Sequence, residues 1–123
     1  MNPPIYDFLR NYSEKNPLRC HMPGHHGKHI SAELAELYRL DITEISGADS
    51  LFEADGIISE SEDNTAAIYG SGAALFSAGG STSCIQAMLG AMRFENRRII
   101  AVRNVHRAFL NSCVLLGLDV EWI

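Results

Sequence analysis

A chain of 123 residues with a formal net charge of −5 has room for one modest domain with a real core. Its hydrophobic fraction of 46% and charged fraction of 20% are those of an ordinary soluble globular protein. The ten Lys and Arg residues form no basic stripe, which argues against nucleic-acid binding, and no apolar run is long enough to cross a bilayer.

Arg93, Arg97, Arg98, Arg103 and Arg107 read as charges that end helices and strands. The three cysteines, Cys20, Cys84 and Cys113, are odd in number, and two of them sit in apolar stretches, so they suit a reducing compartment rather than a disulfide framework. The first residues lack the charged head and apolar core of a signal peptide. A cytoplasmic protein is expected.

Composition changes near Ser59. All four prolines and four of the five histidines precede it, and none of the prolines follows. Residues 1–58 therefore read as an arm with a Pro-Gly-His loop, and residues 59–123 as the start of an α/β unit. In the arm, Ile5, Phe8, Leu9 and Tyr12 fall at i, i+3, i+4 and i+7 behind Pro3 and Pro4, which predicts a short amphipathic helix. Ser31 is placed to cap a second short helix through Leu34, Leu37 and Tyr38. Between them Pro23, Gly24 and Gly27 mark a loop.

The second part has a clearer rhythm. Glu62 to Tyr69 suits a helix ended by Gly70 and Gly72. Ala73–Ala78 is a short apolar run read as a strand. Ile85, Met88, Leu89 and Met92 make a helical stripe, and the small residues Cys84, Ala87, Gly90 and Ala91 predict burial on a further face as well. Arg98–Arg103 reads as a strand, Phe109–Leu116 as a helix stopped by Gly117, and Asp119–Ile123 as a last strand. Strand, helix, strand, helix, strand is the pattern of parallel crossovers.

Chemistry concentrates at three places. Gly79, Gly80, Ser81 and Thr82 lie between the apolar run and the predicted helix. Two glycines let a bound group approach the backbone, and the first helical turn offers free N–H donors to an anion. A phosphate fits this turn; so does a plain Ser or Thr cap with no ligand. His106 stands between a strand and a helix at the carboxyl-end edge of a parallel sheet, where an imidazole can stack on a cofactor, move a proton or simply cap the helix. The third place is the cluster of His21, His25, His26 and His29 beside Cys20, a set whose spacing matches no standard metal site. The carboxylates from Asp41 to Asp63 read as a solvated acidic surface, with an electrostatic lure for a cation as the alternative.

These features occur in a recognisable order. HMPGHHGK, DITEISGADSLFEADGIISESE, AAIYGSGAALFSAGGSTSCIQAML and RNVHRAF together resemble the start of the large domain of the ornithine/lysine/arginine decarboxylases, from about Leu18 onward. Those are fold-type I pyridoxal-phosphate enzymes. The resemblance implies an incomplete three-layer α/β large domain behind a helical arm. It implies that Gly80, Ser81 and Thr82 hold the cofactor phosphate and that the catalytic His106 stacks on the pyridine ring, which serves as electron sink for decarboxylation. The substrate would be a basic amino acid, yielding a diamine or agmatine. Asp49 and the Pro23–His26 loop would lie near the active-site mouth or a subunit interface.

Departures from the pattern bear on activity. The family's Schiff-base lysine has no counterpart, since Lys15 and Lys28 are the only lysines and neither fits its motif. Ser50 replaces a common aspartate, the Phe52–Gly56 segment lacks a usual proline, and Arg107 stands where lysine is common. No resident metal is expected. The chain is expected to be a fragment of a longer product, inactive alone, completed by oligomerisation or by the remainder of the enzyme, since Ala73–Ala78 would lack its sheet neighbours. The alternatives are a non-catalytic module pairing with a longer paralogue and a small His-rich metal-binding protein.

Overall fold

The computed structural model describes residues 2–28, 31–95 and 98–123. His29 of the histidine cluster and Arg97 of the basic run lie outside the described residues. The chain falls into two compact units, Met1–Phe76 and Ser77–Ile123.

The first unit is helical. Helix α1 spans Pro4–Glu14, with proline in its first turn, where the missing N–H costs nothing. Its half-buried positions include Ile5, Phe8, Leu9 and Tyr12, the stripe expected from the spacing. A 3-10 turn, Ala32–Leu34, leads into the short helix α2, Ala35–Leu40. Ser31 occupies the capping position, but its hydroxyl makes no cap; the bond closing the turn is Leu34 N–H to the Ser31 carbonyl at 3.3 Å. Of the expected stripe only Tyr38 is half-buried, while Leu34 and Leu37 face solvent. Two turns of helix are too short to bury a full apolar face.

Helix α3, Ile57–Tyr69, begins five residues before the expected Glu62 and packs on α1. It ends on Gly70 in the left-handed region (φ 64°), with Ser71 N–H returning to the Ala66 carbonyl at 3.0 Å. The early start comes from long-range capping by Asp49, described below.

Arg19 binds the end of α2 to the loop before it. Its guanidinium donates to the carbonyls of Tyr38 (3.3 Å), Asp41 (3.3 Å) and Arg39, and its plane lies over the Tyr12 ring at 5.1 Å. Gly27 sits at φ +75°, which favours glycine, and a Cβ there would come within 2.9 Å of that guanidinium. The positive fork meets the negative end of α2. Arg19→Lys is therefore expected to lower the melting stability of this unit by about 1 kcal/mol, because an ammonium cannot serve three carbonyls and stack at once. An unchanged thermal midpoint would show that the fork contributes nothing.

The second unit carries the strands. Helix α4 spans Gly80–Phe94, strand β1 Ile99–Ala101, helix α5 Arg107–Leu116 and strand β2 Val120–Trp122. β1 and β2 pair in parallel, with Ile99 opposite Val120 and Ala101 opposite Trp122, so β1–α5–β2 forms one crossover unit. Gly117 ends α5 in the left-handed region (φ 60°). The core is Leu89 of α4, Ile99 of β1 and Cys113 of α5, flanked by Ile85, Phe109 and Val120. Ser112 is fully buried, its hydroxyl donating to the Ala108 carbonyl at 2.6 Å.

Two expectations fail here. Ala73–Ala78 is not a strand: its residues have no regular secondary structure. It is tethered through the Phe76 N–H, which donates to Glu62 Oε1 at 2.7 Å. Strand structure requires a pairing partner, and an apolar hexapeptide without one has nothing to hold it extended. Nor is α4 buried on a second side: Cys84, Ala87 and Ala91 are exposed and Met88 is 54% exposed. In β1, Ile99 and Ala101 are buried while the alternating Ile100 is exposed, so one sheet face is covered. Parallel sheets are ordinarily covered on both. Mixed helix and strand with one parallel pair is compatible with part of an α/β domain.

Candidate functional site

The turn into α4 is built for close approach. Gly80 has φ +72°, a conformation that costs glycine nothing, and a Cβ placed there would meet no atom within 4 Å. At Gly79 a Cβ would fall 2.6 Å from Ser83 Cβ, so a side chain is barred by the first turn of the helix itself. Ser77, absent from the expected site, shapes the turn: its Oγ accepts from the Gly79 N–H at 3.1 Å and donates to Ser83 Oγ at 3.4 Å. The signal for it was the Ser-x-Gly spacing of a hydroxyl-closed turn.

Helix α4 receives no side-chain cap and has no acidic residue in its first turn. Ser81 and Thr82 are exposed, at the start of the helix. Backbone N–H groups, a positive helix end and two hydroxyls are therefore presented at one point, with no carboxylate to repel an anion. This donor set fits a phosphate ester. The field of the helix end is worth roughly 0.3–1 kcal/mol at such an exposed position.

His106 is the N-cap of α5. Its backbone is extended (φ −64°, ψ 144°) and its Nδ1 accepts from the Ala108 N–H at 3.1 Å. The capping role considered for this residue is present, and the ring remains exposed. α4 and α5 pack on each other, and His106 and the Gly80 turn stand at the N-termini of these two helices.

His21 and His25 are committed to protein contacts, while His26 is exposed. His21 Nδ1 donates to the Met22 carbonyl at 2.6 Å, leaving Nε2 to accept from the Tyr12 hydroxyl at 2.8 Å. His25 Nδ1 accepts from the Gly27 N–H at 3.0 Å, and Nε2 donates to Asp41 Oδ2 at 3.0 Å. The His25 ring also meets Tyr38 edge-on at 4.4 Å. Among the described residues no three His, Cys, Asp or Glu side chains converge as metal ligands.

The most heavily engaged polar side chain belongs to Asp49. Oδ1 accepts from the N–H groups of Ser50 (2.8 Å) and Asp55 (3.1 Å), and Oδ2 from those of Gly56 (3.0 Å) and Ile58 (2.9 Å). Partial desolvation alone would raise its pKa. Donation by the Ser50, Asp55, Ile58 and Gly56 amides outweighs that and holds the carboxyl well below the usual carboxylate range. The two Oδ2 bonds cap α3, which explains where that helix starts. Ser50 donates to Glu44 Oε1 at 3.1 Å. Glu44, Asp49, Glu53 and Asp55 line a hollow of about 400 Å³ in this loop.

Among the described residues no helix is long and apolar enough to cross a membrane. Comparison with known proteins gives consistent relatives. The chain is 29% identical over its whole length to the uncharacterized protein YaaO of Bacillus subtilis (strain 168), covering 27% of that protein. It is 28% identical over 93% of its length to arginine decarboxylases of Bacillus anthracis and Bacillus cereus, covering 24% and 26% of them. The chain thus spans about a quarter of the length of these relatives. No solved structure matches significantly. The profile of the major domain of the Orn/Lys/Arg decarboxylases matches residues 3–121, and the chain belongs to that family.

Proposed function

We propose that this chain supplies the front of the cofactor pocket of a pyridoxal-phosphate-dependent basic amino acid decarboxylase and is inactive alone. The observation that carries this is the uncapped N-terminus of α4, where Gly79 and Gly80 clear the approach and Ser81 and Thr82 present free hydroxyls. In this reading the first turn of α4 binds and orients the phosphate ester, and the exposed ring of His106 covers one face of the pyridine. When bound, the cofactor supplies an electron sink for loss of the carboxylate. The complete domain would be of fold-type I, its substrate a basic amino acid such as arginine, the compound named in several relatives.

Inactivity follows from the lysines. Lys15 closes α1 and Lys28 lies in the histidine loop, both in the first unit, and neither fits the family's Schiff-base motif. The partners would be the rest of such a domain or a further copy, and the uncovered side of α4 with the exposed Val114 and Leu115 supports a covering layer.

The test is titration of pyridoxal phosphate and of inorganic phosphate into the labelled chain. Both are expected to shift the amides of residues 79–83, and a Ser81→Ala/Thr82→Ala double variant is expected to weaken either ligand by about tenfold, two solvent-exposed hydroxyl hydrogen bonds worth about 0.7 kcal/mol each being lost. Equal affinity in the double variant would sink the phosphate assignment. Borohydride reduction is expected to leave no stoichiometric adduct at Lys15 or Lys28; such an adduct would overturn inactivity.

A further inference from the structure

We infer that the first turn of α5 is a positioning device that fixes the tautomer of His106, leaving Nε2–H as the only polar group the ring can offer. The tautomer itself follows from the capping geometry; its use at a cofactor rests on the function proposed above. The Ala108 N–H can only donate, and it points at Nδ1 from 3.1 Å, so Nδ1 carries a lone pair and no hydrogen. A neutral imidazole in that state bears its hydrogen on Nε2. A hydrogen on Nδ1 would remove the acceptor that caps α5, and in the doubly protonated ring it would also set a cation at the positive end of the helix.

The consequence for chemistry is specific. The extended backbone of His106 and its bond to Ala108 hold the imidazole against the start of α5, while the ring itself remains exposed. Such a ring can lie over a neighbouring aromatic group and donate one hydrogen bond, from Nε2, to an acceptor beside it. It does not serve as a base through Nδ1, because that lone pair is already engaged. Arg107, next in the chain, is itself exposed and provides no side-chain bond to the imidazole.

The experiment has two parts, both independent of activity. Nitrogen NMR of the full chain, at alkaline pH where imidazole is neutral, is expected to show hydrogen on Nε2 and a through-hydrogen-bond coupling between the Ala108 amide nitrogen and His106 Nδ1. Hydrogen on Nδ1, or no coupling, overturns the assignment. His106→Asn supplies a side-chain oxygen at the same capping position without the ring, whereas His106→Ala supplies neither. Amide exchange in the first turn of α5 is expected to rise about fivefold in the alanine variant and to stay within about twofold of wild type in the asparagine variant. Failure of asparagine to restore protection overturns the capping role. Addition of pyridoxal phosphate separates the two claims: an unchanged His106 spectrum with the coupling intact would defeat the cofactor reading and leave the tautomer standing.

Discussion

Leu89→Ala is expected to abolish amide protection throughout α4 and α5 while α1 and α3 keep theirs. Leu89 is 2% exposed and holds Ile99 and Cys113 together, with Ile85, Met92 and Phe109 around it. Removing a buried leucine side chain costs about 2–5 kcal/mol, transfer and cavity terms together. The unit from Ser77 to Ile123 has little to set against that. At roughly 0.05–0.15 kcal/mol per residue, a unit of this size is stable by only a few kcal/mol. Apart from Ile99, its other buried side chains among the described residues are small, Ser112 foremost. Hydrogen exchange read by mass spectrometry resolves the two units. Retention of α4 protection to within a few fold would show that the unit is held by something other than this core.

The second large effect is expected at Asp49. Four backbone donors converge on one carboxylate, and Asn in its place offers one oxygen where the aspartate has two. Asp49→Asn is therefore expected to raise amide exchange at two or more of Ser50, Asp55, Gly56 and Ile58 by about tenfold. Asn is the informative substitution because the residue sits at φ 70°, which asparagine tolerates and alanine does not. The pH dependence has a definite sign. The folded carboxyl titrates below its unfolded counterpart, which lies near ~3.9. Its contribution is thus complete above about pH 4 and declines as pH falls through the folded value. The stability difference between wild type and Asp49→Asn should shrink in acid and stay constant from about pH 5 to 8. A difference that grows in acid would contradict the hydrogen-bonded carboxylate.

Asp49 also explains why the segment around it is poorly legible in the primary structure. Its partners lie one, six, seven and nine residues away, with no period that helix or strand would impose. In sequence it is one acidic residue among several, and a solvated surface was the natural expectation. The same holds for Arg19, whose three carbonyl partners are 19 to 22 residues ahead, and for His25, which meets Asp41 sixteen residues away.

What the amino-acid order determined by itself was local: the stripe Ile5, Phe8, Leu9 and Tyr12, the helix around Leu89, the left-handed stops at Gly70 and Gly117, and the glycine turn at Gly79–Gly80. Each depends on residues within one or two turns of each other, where periodicity and backbone preference act directly. Tertiary structure decided the rest. It made Ala73–Ala78 irregular rather than a strand, since pairing is non-local and no strand pairs with it among the described residues. It left the second side of α4 open and moved the start of α3 back to Ile57 through Asp49. Spacing along a chain can say which residues are close in sequence, but which donor reaches which acceptor is settled only when distant segments pack.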